Sequence, residues 1–155
     1  MNPAVQTRAE RTAPLRSGPG ERLACGIVAA GCLGVLATAA WMNPSTRGHG
    51  THTQIGLPPC SWAIWFDKPC PTCGMTTAFS HAGEAQWGAS FLTQPAGAVL
   101  AIGTATAFWL AVHAAATGSR VGPMAGWLVR PRTVTLLGAG LIAAWVYKIV
   151  TWGGA

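Results

Sequence analysis

Residues 23–42 read LACGIVAAGCLGVLATAAWM, an unbroken run without a charged side chain. At about 1.5 Å per helical residue, such a run covers the roughly 30 Å hydrocarbon core of a bilayer. Two further stretches have the same character, residues 95–117 (PAGAVLAIGTATAFWLAVHAAAT) and residues 133–152 (TVTLLGAGLIAAWVYKIVTW). Pro95 suits the first turn of a helix, where its missing N–H costs nothing. Half of the 155 residues are apolar and only 9% are charged, against about 25% charged in ordinary soluble domains. The expected fold is therefore all-α, an integral membrane protein with three transmembrane helices in one membrane domain, residues 23–152. A basic tail followed by an apolar run and Ala37-Thr38-Ala39 also has the outline of a cleavable secretory signal. The run exceeds the usual signal core in length, which favours a retained span.

The ends and loops carry the charge. Residues 1–22, MNPAVQTRAERTAPLRSGPGER, have no apolar periodicity and are expected to form a disordered basic cytoplasmic tail. The formal charge of +6 comes from ten basic and four acidic residues. These charges flank apolar segments, so topology and anionic lipid headgroups account for them and nucleic acid is not an expected partner. With three spans, Arg8, Arg11, Arg16, Arg22, Arg120, Arg130 and Arg132 share one side, and Arg47, Lys68 and Lys148 fall on or near the other. Basic loops stay inside. The expected location is the cell membrane, multi-pass, with a cytoplasmic N-terminus and an extracytoplasmic segment 43–94. Lys148 is expected to snorkel to the headgroups, with Trp145, Tyr147 and Trp152 as an interfacial belt. His113, near the end of the second span, is expected to be neutral and hydrogen-bonded. Gly26, Ala30 and Gly34 in the first span, Gly103, Ala107 and Ala111 in the second, and Ala139 and Ala143 in the third recur at four-residue spacing, which lets helices approach closely.

The insert, residues 43–94, carries the chemistry. Asn43-Pro44 closes the first helix, and Trp62, Trp65, Phe66, Trp87 and Phe91 suit a membrane surface. Three of the five cysteines lie here, Cys60, Cys70 and Cys73, the last two as Cys70-Pro71-Thr72-Cys73. Gly74 and MTTAFSHA follow, a short helix expected to end at Gly83. A helix starting near Cys73 would place Thr77, Ser80, His81 and Glu84 near the same face, and its N-terminus would favour a Cys73 thiolate. Met75, Phe79 and Ala82 fall on another face, fit for lipid or the spans. Cys25 and Cys32 are seven residues apart on one helix, about 10 Å along the axis and beyond disulfide reach, and are expected to be free thiols. No histidine follows Cys73, which excludes covalent haem attachment; no H-x-E precedes the pair, which excludes the zinc deaminases; and no βαβ pattern accompanies it, which excludes a thioredoxin domain.

GLPPC, an aromatic stretch, CPTCGMTTAF and then Gln94-Pro95 resemble the bacterial membrane family catalogued as domain of unknown function 2752. The resemblance covers about residues 55–115, with Cys60, Cys70, Cys73, Gly74 and Thr76 on its pattern. Many members carry an arginine after that threonine; Thr77 stands there in this chain. The resemblance implies a small multi-span membrane protein and no particular activity.

Two chemistries are open for the insert. Cys60, Cys70, Cys73 and His81 supply three sulfurs and one nitrogen, the donor count of a structural zinc site. The same cysteines can instead form a disulfide, with no cofactor. Either would staple the insert of a protein that assembles with other membrane proteins or with itself in the bilayer. The alternative is a membrane thiol–disulfide carrier using Cys70 and Cys73. An enzyme is not expected: no catalytic residues are assigned, because Asp67 and Glu84 are the insert's only carboxylates and form no close pair.

Overall fold

The computed structural model describes residues 17–119 and 130–153. Most of the expected tail and Arg120 lie outside the described residues. Those residues contain helices and turns and no strand. The chain runs α1 (Pro19–Trp41), a 3-10 turn (Thr51–Ile55), α2 (Ser61–Phe66), α3 (Met75–Gly83), α4 (Trp87–Thr93), α5 (Pro95–Thr117) and α6 (Pro131–Val150). Three of these, α1, α5 and α6, are long and apolar enough to cross a membrane. The second matches the expected residues 95–117; the first starts at Pro19, inside the stretch read as tail, and the third starts two residues early at Pro131. All three open on proline in the first turn, where its fixed φ favours helix and no hydrogen bond is lost.

α1 and α5 run antiparallel. The Ser17 amide donates to Gly118 O at 2.9 Å. The Arg22 guanidinium donates to Ala115 O at 2.8 Å and to Ala116 O at 3.0 Å. Arg22 thus caps the carbonyl end of α5, where a cation is favoured. The insert closes the opposite end of the pair, and α6 finishes at that same end. Large apolar side chains such as Leu23, Val28, Leu136 and Ile142 point outward, the pattern of a molecule whose solvent is lipid.

Inside the insert α3 is the hub, touching α1, α4, α5 and the 3-10 turn. Its buried residues are Thr77, Ala78 and Ser80. Thr77 Oγ1 lies 2.8 Å from Thr51 Oγ1, and the Ser80 hydroxyl donates to Met42 O. The Thr77 and Ser80 face read as part of a chemical face is therefore a packing face, its hydroxyls satisfied internally as burial demands. Small residues permit the approach. A Cβ on Gly97 would sit 2.9 Å from Ala78 Cβ and 3.2 Å from Met75 Cα, and one on Gly83 would meet Ala40 Cα at 2.9 Å. Gly83 thus provides room for close approach to α1 and is not a left-handed helix end; the positive φ after α3 belongs to Ala85.

Among the described residues, the small-residue face of α1 is not closely packed. Space is open around Gly26, Gly31 and Gly34, and Ala30 is exposed. The residues that α1 buries are Ala29 and Ala39, on a neighbouring face.

Candidate functional site

The sequence between α2 and α3 is stiffened by Pro69 and Pro71 and folded into tight turns. The Cys73 amide donates to Cys70 O at 3.0 Å and the Met75 amide to Thr72 O at 3.1 Å. Gly74 then takes φ +87°, and a Cβ there would lie 2.8 Å from Gly48 O. A left-handed residue pressed against a carbonyl has room only for glycine, which explains the glycine after the Cys-x-x-Cys pair. Cys60 arrives separately, as the residue that precedes the first turn of α2.

These turns bring Cys60, Cys70 and Cys73 together, with all three Sγ atoms within 4.8 Å of one another. All five cysteines are free thiols, Cys25 and Cys32 on α1 included. Cys73 is buried, while Cys60 and Cys70 are half-buried at the edge of a cavity of about 920 Å³. The Cys70 sulfur also sits 3.4 Å from Thr72 Oγ1.

The three thiols are not equivalent. Burial pushes Cys73 up to about 12, reinforced by the negative charge that Cys70 and Cys60 would carry beside it. Burial also pushes Cys60 upward, but the Ala63 amide, the Cys70 thiol, the Trp62 amide and the Cys73 thiol outweigh it, and the net shift is downward. The helix start that favours thiolate is therefore that of α2, at Cys60, and not that of α3, at Cys73. Three neighbouring thiols cannot all ionise without a compensating cation. A thiophilic divalent ion would remove that obstacle, since coordination deprotonates thiols outright. Zn–S bonds of about 2.3 Å in a tetrahedral site set sulfurs about 3.8 Å apart, so the observed spacing fits such an ion with small adjustments.

His81 does not join the sulfurs. Its Nδ1 lies 2.8 Å from Gln86 Oε1, and Gln86 Nε2 donates to Glu84 Oε2 at 2.8 Å. Asp67 accepts from Trp152 Nε1 at 3.3 Å. His113 is exposed on the last turns of α5, at the end of the molecule away from the insert.

Lys148 is placed differently from its expected snorkelling position. It is buried, and its Nζ donates to Gly48 O at 3.0 Å and Thr93 O at 3.1 Å. That position puts the ammonium within electrostatic reach of Cys73. The expected aromatic belt is also recruited inward. Trp145 Nε1 donates to Pro69 O at 3.0 Å and Tyr147 OH to Leu92 O at 2.8 Å. The rings of His49 and Trp152 stack at 4.6 Å. A lone charge inside an apolar run was the available signal for Lys148. Gln94, wholly buried and reaching Pro71 O at 3.4 Å, had only its place before Pro95 to mark it.

Fold and site together define a small, all-helical protein with three helices fit to cross a membrane and a three-thiol cluster between the first two. Residues 60–109 match the family model described as "Protein of unknown function (DUF2752)", the family that the cysteine motif resembles. That match runs from Cys60 into α5 and so contains all three clustered cysteines. No curated protein and no solved structure matches the chain.

Proposed function

We propose that this is a multi-pass protein of a bacterial cell membrane whose extracytoplasmic insert is clipped by a metal–thiolate centre and serves assembly or interaction. The convergence of three Sγ atoms within 4.8 Å carries the reading. A disulfide would use two of these sulfurs and leave the third beside it, whereas a soft divalent ion such as zinc uses all three. Lys148, Trp145 and Tyr147 tie α6 to the same insert, so the clip braces the surface on which a partner or a second copy would dock.

Purified full-length protein in detergent should hold one equivalent of zinc and no disulfide. Serine at Cys60, Cys70 or Cys73 should abolish the zinc, and serine at Cys25 or Cys32 should not. Metal-free protein carrying one disulfide within the insert overturns this reading. Reporter fusions at residue 55 should report the extracytoplasmic side and fusions at residue 125 the cytoplasm.

The asymmetry between Cys60 and Cys73 favours a second reading, a thiol–disulfide carrier. The Cys60 thiolate would attack a partner's disulfide and release one partner thiol. Cys70 would then displace the other, leaving a Cys60–Cys70 disulfide and a reduced partner. A mixed disulfide trapped by Cys70→Ser, in metal-free protein, is the result expected of that carrier.

A further inference from the structure

The geometry points to a metal–thiolate centre that is open rather than closed: its fourth position faces the cavity and takes a small monoanion, steered by Arg47. This inference rests on the metal reading above and adds to it the ligand. Structural zinc sites have four protein donors, whereas sites that accept a ligand have three and an open position. Among the described residues, no histidine, carboxylate or further cysteine joins the three sulfurs. His81 is engaged with Gln86, and His52 Nε2 lies 3.1 Å from Pro58 O. All three cysteines line the cavity of about 920 Å³, so a ligand on the fourth position would have space to extend.

Charge selects the class of ligand. Three thiolates exceed a divalent ion by one negative charge, and Lys148 Nζ, 3.2 Å from where a Cβ on Gly74 would stand, is placed next to Cys73 to offset it. Among the described residues that line the cavity, Arg47 is the one lysine or arginine and none is an aspartate or glutamate. The mouth is therefore positive, and an anion is favoured over a neutral donor of similar size.

The test uses the full chain in detergent loaded with cobalt(II) in place of zinc. An intense sulfur-to-cobalt absorption reports the three thiolates, and the weaker ligand-field bands report the fourth position. Azide should shift the ligand-field bands saturably while the sulfur absorption persists. Imidazole should bind more weakly. Arg47→Gln should weaken azide about tenfold and leave imidazole nearly unchanged. His81→Ala should leave the starting spectrum as it is. Ligand-field bands that ignore azide, or that change with His81→Ala, overturn the open site and leave the metal centre standing. Azide binding that is indifferent to Arg47→Gln overturns the choice of an anion. A protein that never shows the sulfur absorption overturns the metal centre and this inference with it.

Discussion

Helices α5 and α6 are both apolar and both long enough to cross a membrane, yet they are held in opposite ways. α5 lies along α1, and the residues it buries are Gly97, Ala98, Ala101, Ala111 and Ala114. α6 buries only Ala144 and Lys148. It is attached at its last turns by side chains that reach insert carbonyls, from Trp145, Tyr147 and Lys148. Lipid removes the hydrophobic drive for apolar helices to associate, which leaves close packing and interhelical hydrogen bonds. α5 relies on the first and α6 on the second. The thiol cluster sits where the two schemes meet, between the tightly packed α3 and the Lys148 ammonium.

The strongest way to break the packed scheme is Gly97→Leu. The added side chain would drive into Ala78 Cβ, too close for any Cβ, and press tightly on the Met75 backbone. Overpacking of this kind costs about 3 kcal/mol. Thermal unfolding in detergent should show the loss, and metal retention should fall because α3 follows directly on Cys73. A variant as stable as the parent would mean that α3 does not rest on α5.

The pinned scheme is tested by Lys148→Met, which keeps the length and apolar bulk of the side chain. Two carbonyls lose their donor, and the net cost expected is about 2 kcal/mol. α6 should become susceptible to limited proteolysis near residue 150 while α1 and α5 stay protected. A milder version is Tyr147→Phe, which removes one hydrogen bond to Leu92 O and should cost about 1 kcal/mol. If Lys148→Met and Tyr147→Phe have equal effects, the ammonium is not a principal anchor.

The contrast also shows what sequence can reveal. Apolar run length is a local property, so all three long helices and the position of the cysteine insert were readable. Convergence of the cysteines was suggested by the Cys-x-x-Cys spacing, but Cys60 reaches the pair only through the turn at Asp67 and the two prolines. Helical spacing and donor count group His81 with them; its actual partner is set by the reversal after Gly83, which brings Gln86 back to it. Long cations near span ends usually snorkel to the headgroups, an expectation that misplaces Lys148. Its true partners, Gly48 and Thr93, are backbone carbonyls distant in sequence, and no side-chain pattern announces a carbonyl.

The smallest effect within a single chain is expected at Gly34. Its four-residue spacing with Gly26 and Ala30 marks a face suited to close helix contact. In the structure that face is open, with no atom within 4 Å of a Cβ built on Gly34. Gly34→Leu should therefore leave the unfolding temperature of the monomer in detergent unchanged, as should Val28→Leu at another exposed position of α1. The comparison becomes informative in bilayers, where proximity can be read by cross-linking of single-cysteine variants on α1. If Gly34→Leu reduces cross-linking and Val28→Leu does not, the face packs against a second copy, and α1 then uses small residues on both sides, one for α5 and one for its twin. If neither changes cross-linking, the face meets lipid, and close packing in this protein is confined to the α1–α3–α5 seam. A loss of monomer stability with Gly34→Leu alone would mean that the leucine reaches past the open space at its Cβ to Ile55, Met75 or Phe79, which line one groove with Gly34.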